Sequence, residues 1–150
     1  SRARAARADA AAVVQRVTGV LKRTPDGGRL GWRLDVPAGL TLAIDEADLA
    51  EALGALAENA ARHANAQVTV SALPQEDQVR LCIADDGPGM PAARLSAMTA
   101  RGTRADETQG GTGLGLTIAA EIARAAGGDI TLCNAHPGLT VCLTLPRSTT

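Results

Sequence analysis

Three segments carry residue types whose spacing suits phosphate and nucleobase chemistry. The first is Glu58-Asn59-Ala60-Ala61-Arg62-His63. A carboxamide oxygen such as that of Asn59 suits a hard cation like Mg²⁺, which keeps several waters and shares substrate phosphates. Arg62, one helical turn on, could meet a phosphate. The competing reading is an ordinary surface Asn and Arg. The second is Asp85-Asp86-Gly87-Pro88-Gly89, at the end of a strand pattern. Asp85 continues the inward alternation of Leu81 and Ile83, so it enters the interior and needs a hydrogen-bond partner there. A carboxylate so placed could accept from an exocyclic amine such as that of adenine; the competing reading is a solvated Asp-Gly turn. The third is Gly111-Thr112-Gly113-Leu114-Gly115-Leu116, running into a helix. Glycines let backbone amides approach phosphates, and a helix N-terminus adds a favourable dipole. A flexible loop before a helix is the alternative.

Two other phosphate loops do not fit. The P-loop requires Gly-Lys-Ser/Thr, and the one lysine of the chain is Lys22. The dinucleotide fingerprint requires G-x-G-x-x-G directly after a strand, whereas the spacing here is G-x-G-x-G after an irregular stretch.

The elements that must position these residues follow from periodicity. Residues 8–23 read as an amphipathic helix with Val13, Val17, Val20 and Leu21 inward. Pro25-Asp26-Gly27-Gly28 reads as a turn, and 30–34 and 40–44 as short strands. Asp45 caps a helix to about Ala64, with Leu49, Leu53, Leu56 and Ala60 in one apolar stripe. A hairpin pairs Val68 and Val70 with Val79, Leu81 and Ile83 around a turn at 74–77. Periodicity is lost over 85–113, apart from a short helix near 91–98; a connection this long in a small domain is usually functional. A helix over 114–126 stops at Gly127-Gly128, and a last hairpin joins 130–133 to 139–145. Hairpins exclude a doubly wound parallel sheet. The expected class is α+β, a two-layer α/β sandwich with a mixed, mostly antiparallel sheet and helices on one face.

Bulk properties narrow the function. The 150 residues fit one domain, and the 45 % apolar content supports a core of Leu, Val, Ile and Ala, given one Trp and no Phe or Tyr. A net charge of −1 argues against nucleic-acid binding, with Arg2, Arg4 and Arg7 the sole basic cluster. No stretch reaches the roughly 18 apolar residues of a membrane span, so direct membrane insertion is not expected. Cys82, Cys133 and Cys142 read as buried free thiols in a reducing compartment. Their spacing to His63 and His136 offers no zinc site.

Taken together, Glu-Asn-Ala, Asp-x-Gly-x-Gly and Gly-Thr-Gly-Leu-Gly-Leu, in this order, resemble the N, G1 and G2 boxes of histidine-kinase catalytic domains. These belong to the ATPase superfamily with gyrase, Hsp90 and MutL and share its Bergerat-type ATP-binding fold. The resemblance covers about residues 8–146, including Ala126-Gly127-Gly128-Asp129-Ile130 and Leu143-Thr144-Leu145-Pro146. It implies that Asn59 binds Mg²⁺ bridging the ATP phosphates and that Asp85 accepts from the adenine amine. Gly87 and Gly89 would shape the base pocket, joined by Met90, and His63 would lie beside the nucleotide. Residues 91–110 would form an ATP lid. Gly111, Thr112, Gly113, Leu114, Gly115 and Leu116 would lie along the phosphates. Arg62, and on the lid Arg101 and Arg104, would reach phosphate, with solvated lid charges the alternative for the latter two. Phe residues common in such lids are missing, with Ser96 and Thr99 near their places and Met98 the one large candidate.

The implied reaction is transfer of the ATP γ-phosphoryl to a histidine on a separate dimerisation domain, followed by a response-regulator receiver as partner. The phosphoacceptor region is not expected within these residues, and a cytoplasmic location is implied. Gyrase- or MutL-type hydrolysis would need a water-activating Glu where Ala55 stands. A stand-alone anti-sigma-type serine kinase or a nucleotide-binding module is the remaining alternative.

Overall fold

The computed structural model describes residues 6–101 and 111–148, with the backbone alone at 98–101 and 111–114. In chain order the elements are β1 (Ala8–Asp9), α1 (Ala10–Leu21), α2 (Pro25–Gly28), β2 (Gly31–Asp35), β3 (Thr41–Leu42) and α3 (Glu46–His63). They continue with β4 (Gln67–Gln75), β5 (Gln78–Asp85), α4 (Ala92–Arg101), α5 (Gly111–Ala125), β6 (Asp129–Asn134) and β7 (Leu139–Pro146). Five strands form one sheet in the order β2-β4-β5-β7-β6. The β2–β4 pair is parallel and the other three are antiparallel, which gives the expected mixed, mostly antiparallel sheet. Strands β1 and β3 form a separate two-stranded ribbon.

Aspartates open the two long helices packed nearest the chain's first half. Asp9 accepts from the Ala12 amide at 3.2 Å, and Asp45 from those of Ala47 and Asp48 at 2.8 and 3.3 Å. Each satisfies amides that a helix start leaves unpaired. At the other end of α3, the Arg29 guanidinium donates to the carbonyls of Ala61, Ala64 and Asn65. This cation on the C-terminal carbonyls complements the helix dipole and fixes the turn that carries Arg62 and His63. The apolar stripe of α3, Leu49, Leu53, Leu56 and Ala60, is buried as expected. It meets the inward strand residues Val68, Val70, Leu81, Ile83 and Leu143, with Leu116, Ala119 and Ala123 of α5 completing the core. Each fully buried leucine contributes about 1.5–3 kcal/mol through the apolar area it removes from water.

Several expectations need correction. The first helix starts at Ala10, because Ala8 and Asp9 pair with Leu42 and Thr41. Its inner face is Ala10, Val13, Val14, Thr18 and Leu21, and Val20 is exposed. The turn expected at Pro25 is a single helical turn capped by the Thr24 hydroxyl, and the sole tryptophan, Trp32, donates to its Gly27 carbonyl at 3.0 Å. Strand β4 runs through Pro74, beyond the last residue that β2 pairs, so the missing proline N–H breaks no ladder bond on that side. The cysteines are not buried free thiols. Cys82 and Cys142 face each other across β5 and β7 with Cα atoms 4.0 Å apart and are joined as a disulfide, and Cys133 is an exposed free thiol. Alternation explains the difference: all three occupy the sheet face opposite the helices, in phase with Thr131, Thr140 and Thr144 rather than with the core.

Replacing Leu53 with alanine at the centre of the α3–sheet contact is expected to cost about 2–5 kcal/mol. Urea unfolding monitored by circular dichroism checks it, with the midpoint falling and the slope unchanged.

Candidate functional site

The end of β5 and the last turn of α3 meet around a cavity of about 100 Å³ lined by Asn59, His63, Asp85, Gly89, Met90, Pro91, Arg94 and Leu139. Its floor is polar for a definite reason. Asp85 lies on the inward face of β5 and is 7 % exposed. Its Oδ1 accepts from the Gly87 amide at 2.8 Å and from that of Leu139, on β7, at 3.4 Å. Two donors thus meet one oxygen of a buried carboxylate. Gly87 has no room for a side chain: an added Cβ would stand 2.1 Å from the His63 carbonyl oxygen. Gly89 adopts φ +80°, a conformation that favours glycine.

From the helical wall, Asn59 is 5 % exposed, so it is not a surface asparagine. Its Oδ1 is buried and has no hydrogen-bond partner among the described residues. A buried, unpaired acceptor is costly and points to a missing donor or cation. The His63 ring is held by its Nδ1 to the Asn59 carbonyl, 2.9 Å away. Arg62 is exposed, 4.0 Å from Glu58 across one helical turn, and does not line the cavity.

A family model described as histidine kinase-, DNA gyrase B- and HSP90-like ATPase matches residues 44–149. The chain belongs to this ATPase family. The sensor protein kinase CarS of Pseudomonas aeruginosa is 44 % identical over 119 residues, 79 % of this chain and 26 % of CarS. The virulence sensor histidine kinase PhoQ of Salmonella typhimurium is 32 % identical over 97 residues, 65 % of this chain and 20 % of PhoQ. The chain thus spans about a quarter or less of these curated relatives. Among solved structures, the mycobacterial sensor histidine kinase MprB superimposes with TM-score 0.79 at 23 % identity, covering 96 % of this chain and 99 % of that one. The ATP-binding domain of PrrB from Mycobacterium tuberculosis does so with TM-score 0.74 at 26 % identity, covering 94 % and 96 %. The chain is a histidine-kinase-type ATP-binding domain, with the α+β fold expected of one.

Within this ATPase domain the structure gathers Asn59, His63, Asp85, Gly89 and Met90 at one cavity. Gly87 lies beneath it, against His63. The glycine-rich segment is not a loop before a helix: Gly111 is the first residue of α5, so Gly111, Thr112, Gly113, Leu114 and Gly115 lie in its opening turns. An amide-rich helix start is retained, since the first four N–H groups of a helix have no partner within it. An added Cβ on Gly115 would be 3.5 Å from the Ala55 carbonyl of α3, and Leu116 is fully buried in the core. Arg101 ends α4, with its side chain outside the described residues, as are the side chains of Thr112 and Leu114 and the whole of Arg104. Three lining residues, Pro91, Arg94 and Leu139, were not foreseen. For Leu139 the signal was present, since a buried Asp85 needs a donor from the neighbouring strand; Arg94 carried none beyond its position in the segment expected to form a lid.

Asp86, next to Asp85, turns to the opposite side. Its carboxylate accepts from the amides of Asn65, Ala66 and Gln67 at 2.8, 3.0 and 3.2 Å, and Asn65 Nδ2 returns a bond to its carbonyl. The Ala66 amide above all, with those of Gln67 and Asn65, holds this carboxyl below its ordinary value against the opposing effect of desolvation. A depressed carboxylate adds stability that is present above its unfolded value, about 3.9, and is lost as pH falls through the folded one. Asp86→Ala is therefore expected to lower Tm at pH 7. The gap to the parent should close as the pH drops below about 3.9, read by thermal melts over a pH series.

Proposed function

We propose that this domain binds Mg-ATP in the cavity between α3 and the β5 terminus and delivers the γ-phosphoryl to a histidine on a separate dimerisation domain. The observation that carries the reading is the convergence of a buried carboxylate, Asp85, and an unpaired buried carboxamide oxygen, Asn59 Oδ1, on one cavity. The hydrogen bonds from Gly87 and Leu139 both end on Asp85 Oδ1, so Oδ2 is the acceptor offered to the exocyclic amine of adenine. At about 100 Å³ the cavity is smaller than a usual ligand cleft of about 300 Å³ or more. It suits the base, with the phosphates lying outward toward the start of α5.

Asn59 fits a magnesium ion: a hard, neutral oxygen without a partner among the described residues, one turn from Arg62. When bound, the metal would offset charge on the phosphate oxygens. The protein's own share is positioning. Asp85 orients the base, Asn59 and the amides of the α5 start face the phosphates, and Arg62, Arg101 and Arg104 are proposed to reach phosphate. The nucleophile would come from the phosphoacceptor domain, with a response-regulator receiver as the next acceptor, in the cytoplasm. We further propose that residues 91–110 act as the lid and that residues 1–150 are one catalytic domain without the phosphoacceptor histidine. Ala55 supplies no group to activate water, which separates this domain from gyrase- or MutL-type hydrolysis. A serine on a partner protein would be the acceptor in the anti-sigma-type alternative, and phosphoserine on such a partner would favour it.

Calorimetric titration with ATP, with and without Mg²⁺, tests the base and metal assignments together. Asp85→Asn, which replaces one acceptor oxygen with an N–H donor among groups that are themselves donors, is expected to abolish measurable binding. Asn59→Ala is expected to keep the metal-free affinity and lose the gain from Mg²⁺. Unchanged binding by Asp85→Asn would remove the basis of the assignment. In a separate assay, the isolated chain incubated with radiolabelled ATP should carry no acid-labile phosphate on His63 or His136; its appearance there would contradict a partner-borne acceptor.

A further inference from the structure

One side chain outside the residues discussed so far is bonded twice to the root of segment 91–110. Asn134, the last residue of β6, accepts from the Met90 amide through Oδ1 at 2.9 Å and donates from Nδ2 to the Met90 carbonyl at 2.8 Å. The carboxamide thus pairs with Met90 as one residue of a neighbouring strand would, just where β5 has ended and no strand is present. The fit is close, since a Cβ on Gly89 would stand 2.8 Å from Asn134 Oδ1. Met90 is 7 % exposed, and its side chain lines the cavity. Directly after it the chain turns into α4, which brings Pro91 and Arg94 to the same cavity. The backbone orientation of Met90 therefore sets one wall of the cavity, and Asn134 holds both polar groups of that backbone.

We infer that Asn134 is a positioning residue for nucleotide binding, a latch that fixes Met90 and the first turn of α4 opposite Asp85. It touches neither base nor phosphate; it acts through Met90. The inference rests on the reading of this cavity as the base site. Its chemistry is specific to a group that accepts with one atom and donates with the other. Aspartate matches the shape, but when ionised it sets an oxygen against the Met90 carbonyl oxygen. When protonated it again offers one acceptor and one donor. The unfavourable contact raises the pKa of such a carboxyl, because it disfavours the charged form.

The test uses the whole 150-residue chain, with Mg-ATP affinity by calorimetry at about pH 7.5 and about pH 5 for the parent, Asn134→Asp and Asn134→Leu. Thermal melts and Met90 amide exchange by NMR accompany each titration. Both variants are expected to weaken Mg-ATP binding about tenfold at the higher pH, with faster Met90 exchange. For Asn134→Asp the deficit relative to the parent should shrink at the lower pH, which a side chain that merely filled space would not show. If Asn134→Leu fails to fold, Asn134→Asp decides alone. Binding by Asn134→Asp within about twofold of the parent at the higher pH, or an equal deficit at both pH values, would overturn the latch. A parent that binds no ATP removes the base-site reading and the latch with it. A parent that binds alongside an unaffected Asn134→Asp removes the latch alone.

Discussion

A carboxylate taken out of water must be met by donors or it destabilises the fold that buries it. Asp85 is in that position, and much of the local architecture answers to it. The donors come from Gly87, two residues on, and from Leu139 on the neighbouring strand β7. The first requires the chain to fold back immediately after β5, and the second ties that turn to the β6–β7 hairpin. Because the turn presses on the end of α3, Gly87 lies against the His63 carbonyl. One buried charge thereby sets the distance between the sheet and the helix that carries Asn59.

Asp86 balances this arrangement from the other side of the strand. Neighbours on a strand project to opposite faces, so one aspartate enters the cavity while the next braces the loop between α3 and β4 through three backbone amides. Arg29 holds the same loop from its far side through the α3 carbonyls. The helix end that presents Asn59 and His63 is thus gripped by an anion on its amide-rich exit and a cation on its carbonyls. The polar cavity wall is held by hydrogen bonds to its backbone rather than by apolar packing alone.

Much of this was legible in the residues themselves. The stripe Leu49, Leu53, Leu56 and Ala60 announced α3, and the alternation through Leu81, Ile83 and Asp85 announced both β5 and an inward acid. What was not legible depends on partners distant in the chain. The parallel β2–β4 pairing, the β1–β3 ribbon that delays α1 to Ala10, and the facing of Cys82 and Cys142 are all matters of register, which local periodicity does not encode. Val20 was misassigned for a related reason: the inward side of a helix is set by what it packs on, and the buried set Ala10, Val13, Val14, Thr18 and Leu21 leaves Val20 outside. The glycines from Gly111 suggested a loop because glycine is a poor helix former, yet the opening of α5 accommodates them where the packing of α5 on α3 outweighs propensity. Arg94 and Asn134 gave no periodic signal at all, since each matters only through a turn that brings it to Met90 or to the cavity.

The cysteine beside the latch has a practical consequence. Cys133 and Asn134 are adjacent on β6 but project to opposite sides of the sheet, the first as an exposed thiol and the second toward Met90. The other two thiols are tied up in a disulfide. A thiol-reactive dye would therefore attach at one point, behind the strand that anchors Met90 and clear of the cavity lined by Asn59 and Asp85. Cys133 thus offers a ready-made handle for following ligand engagement by fluorescence without engineering a new attachment residue.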